Sequence, residues 1–154
     1  VYFDLGIDPE RMKERDFSLS PKEYGAFFRV LYNASYLGKR HSEQALQYLD
    51  QSTFERGLVA GVPEGTAVSH KFGVWEDPPP GGSDPLQLHD CGIVYHPRRP
   101  FLLCVMTSGK KYVDMTKAIA AVSRFTYEEV DRDARRPGEQ VTLGPNPLQE
   151  PLAP

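Results

Sequence analysis

The sequence is short of cysteine, of positive charge and of long apolar runs, and it has no initiator methionine. Two cysteines in 154 residues rule out a disulfide framework and a four-thiolate zinc site. Lys and Arg number 18 against 21 Asp and Glu, a formal charge of −3. A general nucleic-acid binder needs the opposite balance to neutralise phosphates, so no nucleic acid is expected as a partner. The longest apolar run, Phe101 to Met106, is strand-sized, against the ~20 residues of a bilayer-spanning helix. No membrane-spanning segment is therefore expected. A signal peptide's charged start, apolar stretch and cleavage site are also missing. Val1-Tyr2-Phe3-Asp4-Leu5-Gly6 opens instead on apolar and aromatic residues that read as interior, so the start is expected to be a cut within a longer domain.

What is plentiful is proline, with 14 residues, and its placement divides the chain. Asp8-Pro9-Glu10 fits the start of a short helix, with Asp as N-cap and Pro at the first helical position. Ser20-Pro21-Lys22-Glu23 is a fuller start signal, because Glu23 closes a capping box on Ser20. Tyr24, Phe27, Phe28 and Leu31 then follow the i, i+3, i+4, i+7 stripe of an amphipathic helix, with Gly38 as the expected stop. Asn33-Ala34-Ser35 fits a glycosylation sequon but falls inside this expected helix, so it reads as chance. Ser42 is expected to cap a second helix carrying Ala45, Leu46 and Leu49. Gly57, Gly61, Pro63 and Gly65 break the pattern into a loop.

Period 2 then replaces period 3.6. Val68, His70, Phe72 and Val74 alternate with smaller or polar residues and predict a strand. Asp77 to Pro85, rich in Pro and Gly, predicts an exposed loop. His89 to His96 and Phe101 to Thr107 predict two more strands, joined by Pro97-Arg98-Arg99-Pro100 as an antiparallel hairpin within a covered sheet. Lys111 to Asp131 predicts the last helix, and residues 132–154 a disordered Pro-rich tail. Helices at both ends of three consecutive antiparallel strands make an α+β layered fold.

Few residues offer chemistry. Lys71 shares a strand face with Ser69 and Gly73, while Phe72 points to the other, apolar face. Two readings of Lys71 stand side by side: an anion-binding cation in a cleft, or a solvated lysine on an open sheet face. The four histidines show no metal-ligand spacing, so no metal or cofactor is expected. Each reads as a surface or hydrogen-bonded histidine. Cys91 and Cys104, counted back from the Pro97–Pro100 turn, fall on diagonal positions and are expected to be reduced and buried. Ser108-Gly109-Lys110-Lys111 matches Ser-x-x-Lys, a spacing short enough to arise by chance.

Ser20-Pro21-Lys22-Glu23-Tyr24, Gly61-Val62-Pro63-Glu64-Gly65-Thr66, Lys71-Phe72-Gly73 and His89-Asp90-Cys91-Gly92 form an ordered series, closed by Leu102 to Thr107 and a long helix. The series, over residues 18 to 131, resembles the C-terminal half of the class A β-lactamase-like serine hydrolases, a superfamily shared with the penicillin-binding DD-peptidases. The resemblance implies one partial domain over 1–131 and a β-lactam or cell-wall peptide as substrate. It implies work outside the cytoplasm or in the cell envelope, and the missing N-terminal half as a further partner. It gives Lys71 the family's catalytic and carboxylate-holding role and lets the substrate backbone pair beside Gly73. Phe72 stands where the family carries a carboxylate-binding hydroxyl. The family's Ser-x-x-Lys precedes its lysine strand, whereas Ser108 follows Lys71, so Ser108 is not expected to be the nucleophile. The chain alone is expected to be inactive, and a non-catalytic peptide- or protein-binding module on the same fold is the alternative.

Overall fold

Ser20 starts the first helix as the sequence predicts. In the computed structural model, which describes residues 18–75 and 85–135 with Asp8, Glu10 and Lys13, α1 spans Pro21–Tyr32. The Ser20 hydroxyl accepts the Glu23 N–H at 3.2 Å, and the Glu23 carboxylate accepts the Ser20 N–H at 2.8 Å. Of the short helix expected before it, Asp8, Glu10 and Lys13 are described: Asp8 Oδ1 accepts the Glu10 N–H at 2.9 Å, and the Lys13 N–H donates to the Glu10 carbonyl at 3.1 Å. Helix α1 ends earlier than expected, at Asn33, where Ala34 takes a positive φ of 49°. Asn33 therefore lies at the exposed end of the helix, not inside it. Gly38 proves to be the N-cap of α2, Lys39–Asp50. Ser42 is not that cap; it is buried in the helix, and its hydroxyl donates back to the Leu37 carbonyl at 3.1 Å.

The strands are β1, Val68–Trp75, β2, Leu86–Val94, and β3, Phe101–Gly109. They form one antiparallel sheet in the order β1-β2-β3. Period 2 sorts their side chains onto two covered faces. On one, Val68, Phe72, Leu88 and Val94 pack with Phe54 and Leu58 of the preceding loop and with Met115 and Ile119 of α3, Tyr112–Arg135. On the other, Cys91, Ile93, Leu102 and Cys104 pack under Phe28 of α1 and Leu46 of α2. Two hydrophobic layers thus enclose the sheet, which is the α+β arrangement the pattern predicts.

The cysteines correct the sequence reading. Cys91 and Cys104 are direct partners in the β2–β3 register, with Cα atoms 3.9 Å apart, and a disulfide joins them. The turn is longer than Pro97–Pro100. Strand β2 leaves β3 at Val94, where the Tyr95 N–H continues the β1 register to the Ala67 carbonyl and the His96 N–H folds back on the Val94 carbonyl. Two residues added to the turn convert a diagonal into a facing pair. At the C-terminus α3 continues through Arg135, past the expected boundary at 131. The remainder of the predicted tail and most of the Asp77–Pro85 loop lie outside the described residues.

Candidate functional site

Strand β1 carries the candidate residues along the edge of the described sheet, since only β2 pairs with it. Ser69 is buried at the start of the face that holds Lys71, and its hydroxyl donates to the Leu46 carbonyl at 2.8 Å. That bond ties β1 to α2. Two residues on, Lys71 is exposed. Its Nζ bends round the strand edge to the Phe72 carbonyl and stands 5.0 Å from the centre of the Phe72 ring. The Phe72 ring itself lies on the opposite face, stacked on Phe54 with centroids 4.2 Å apart. Lys71, Phe72 and Gly73 are therefore together at one edge, but only Lys71 is free to meet a ligand from solvent.

Gly73 faces His89 across the β1–β2 register. A Cβ on Gly73 would meet the Cε1–Nε2 end of that imidazole, so the ring lies over Gly73 because no side chain stands there. Tyr24 of α1 covers the same imidazole edge-on, with centroids 5.3 Å apart. Burial, and then the Lys71 charge, hold His89 below its usual value of 6.5, while Asp90 pulls the other way. Burial, and then the Asp90 charge, raise the Tyr24 phenol above 10. His89 is a member of this face that sequence reasoning missed. Its signal was the pairing of a histidine with a glycine, which becomes visible only once the register is known.

Behind the edge lies a buried polar pair. His70 and Asp90 are respectively 1% and 0% exposed, and His70 Nδ1 donates to Asp90 Oδ1 at 2.7 Å. The other carboxylate oxygen accepts the Leu58 N–H at 2.9 Å. Gly57 makes that approach possible, because a Cβ there would strike Asp90. The Leu58 carbonyl in turn accepts from the buried Ser123 hydroxyl of α3 at 2.8 Å. Two strands, one loop and one helix are thereby fixed around the peptide that precedes Lys71. His96 is likewise buried, its Nδ1 accepting from the Arg98 and Arg99 N–H groups and its Nε2 facing Asp131 at 3.4 Å.

Ser108 stands apart from this edge. It pairs with Gln87, which pairs with Trp75, so it is two strands over and four residues along from Lys71. Strand spacing and rise make that about 17 Å. It lines a cavity of 470 Å³ with Lys110, Lys111 and Asp114 at the β3–α3 junction. Among the described residues no group of three or more His, Cys, Asp or Glu side chains gathers to hold a metal, and no helix is long and apolar enough to cross a membrane.

A family model described as the beta-lactamase enzyme family matches residues 4–130. No curated protein matches the sequence. Among solved structures, the TLA-3 extended-spectrum beta-lactamase is similar at a TM-score of 0.66 and 22% identity, over 79% of this chain and 46% of that one. A class A beta-lactamase from Bacteroides cellulosilyticus follows at 0.65 and 20%, over 74% and 42%. An acyl-enzyme complex of PBP-A with penicillin G gives 0.62 and 20%, over 81% and 44%. The likeness is one of fold, and the chain spans less than half the length of each of these structures.

Proposed function

The chain belongs to the beta-lactamase enzyme family, and from that membership we propose that it is the carboxylate-holding part of a serine hydrolase acting on β-lactams or cell-wall peptide amides. The observation that carries this reading is Lys71, exposed on a strand edge with Gly73 two residues on. A cation there attracts a carboxylate at ~4 Å by about 4 kcal/mol at an effective dielectric near 20. The edge of β1 that no described strand covers offers backbone groups on which an extended peptide could form further hydrogen bonds. Phe72 holds the strand through its stack on Phe54. The Cys91–Cys104 disulfide supports a working place outside the cytoplasm.

The acylating serine is not assigned to these residues. Their one Ser-x-x-Lys, Ser108 to Lys111, follows Lys71 in the chain and lies far from it along the sheet. The reading therefore assigns the serine to a further segment or chain. A second reading, a non-catalytic peptide- or protein-binding module, is favoured by Phe72, which supplies no hydroxyl at the sequence position where the family carries a carboxylate-binding one and turns its ring to Phe54 instead. A fluorescent penicillin tests the pair. Reversible binding without covalent labelling, weakened by Lys71→Ala, is the result expected of the chain alone. Covalent labelling of Ser108 would overturn the assignment, and so would binding indifferent to Lys71→Ala.

A further inference from the structure

We propose that His89 is a second ligand-binding group of the Lys71 site, one that takes up a proton as a ligand carboxylate settles beside Lys71. The inference rests on the reading of Lys71 given above and adds to it a residue and a pH dependence. His89 and Gly73 are register partners, and the Cε1–Nε2 end of the imidazole lies over Gly73. Tyr24 covers the ring from α1. The imidazole is thus held between a helix and a strand, its Nε2 end directed across β1 toward the open edge. Lys71 stands on the same face as the diagonal neighbour, a relation that places two side chains about 7–8 Å apart at their bases. The Lys71 Nζ rests on the Phe72 carbonyl, and the proposal requires it to swing back over this face so that one carboxylate meets both groups.

The titratable and charged groups that face His89 are Lys71 from β1, Asp90 on β2 and Tyr24 from α1; its β3 partner, Met106, is uncharged. Burial and the Lys71 charge favour the neutral ring. A carboxylate beside Lys71 offsets that charge and adds an attraction of its own, which favours the imidazolium. Binding then forms one N–H bond on His89 with a proton released by the buffer. No other bond changes.

Calorimetric titration with benzylpenicillin and with N-acetyl-D-alanyl-D-alanine, from pH 7.5 to 5.5, tests this. Both carboxylates stay ionised throughout that range. The expected result is binding severalfold tighter at pH 5.5 than at pH 7.5, with proton uptake and a raised midpoint for the His89 Cε1–H resonance. His89→Gln should flatten the pH profile while circular dichroism reports an intact fold. The resonance of the unmodified chain decides the matter should that variant not fold. Binding that needs Lys71 but leaves the His89 midpoint unmoved overturns the role of His89 and leaves the Lys71 reading standing. No binding of either probe at any pH overturns both.

Discussion

Asp90 serves two donors from different parts of the chain, and among the described residues it is the acceptor that both share. Its carboxylate takes the His70 imidazole and the Leu58 amide, all inside the protein. Replacing it with alanine strands both donors away from water, where each unsatisfied group costs about 1–3 kcal/mol and a broken buried pair about 3–5 kcal/mol. Asp90→Ala is expected to lower stability by roughly 3 kcal/mol or more in urea unfolding, and Asp90→Asn, which keeps one oxygen acceptor, by less. A loss under about 0.5 kcal/mol for the alanine variant would mean that the pair is not formed. The sequence hid this arrangement. His89 and Asp90 are adjacent and so point to opposite faces, which rules out their bonding to each other. Asp90 reaches His70 instead, and that contact depends on register rather than on proximity in the chain. That Lys71 shares a face with Ser69 and Gly73 was legible from the alternation along the strand, while those neighbours alone left open whether it binds an anion or only faces solvent.

At the level of elements, local signals were reliable and counting was not. Helix α1 was legible because four consecutive residues, Ser20 to Glu23, carry its start. Removing that start by Ser20→Ala is expected to cost about 1 kcal/mol and to speed amide exchange through Tyr24, the residue that covers His89. Exchange rates at 23–26 equal to those of the parent would contradict the cap's role. Helix α2 was misjudged at its start, since Ser42 satisfies its hydroxyl within the helix and Gly38 supplies the extended backbone of the cap. The hairpin was recognised, but its register was not. Turn length follows from where β2 leaves β3, and at that point Tyr95 is held by Ala67, on a different segment. No local pattern records such a bond.

On the acid side, two of the described groups make stability depend on pH. The Asp131 carboxyl lies below its usual value of 3.8, chiefly through its hydrogen bond to Arg135, with His96 adding to the effect. His89 lies below 6.5 through burial and the Lys71 charge. In both, the unfolded chain binds the proton more readily than the folded one. Their stabilisation is therefore complete above the unfolded values and is lost as pH falls through the folded ones. Urea midpoints should hold steady from pH 8 to about 6.5, fall first as His89 takes its proton, and fall again below about pH 4. His89→Gln should remove the first decline alone. A midpoint that rises on acidification between pH 6.5 and 5 would contradict the sign. The layered fold that these groups share was legible from the order of periodicities, whereas the separation of its two cores was not, because each strand contributes to both.

Leu58 gives its amide hydrogen to the middle strand and its carbonyl oxygen to the long helix. The two groups belong to successive peptide planes that meet at the Leu58 Cα. One loop residue thereby works as a rivet, holding strand and helix with its backbone alone. No exchange of its side chain removes that fastening, short of proline, which has no N–H to give.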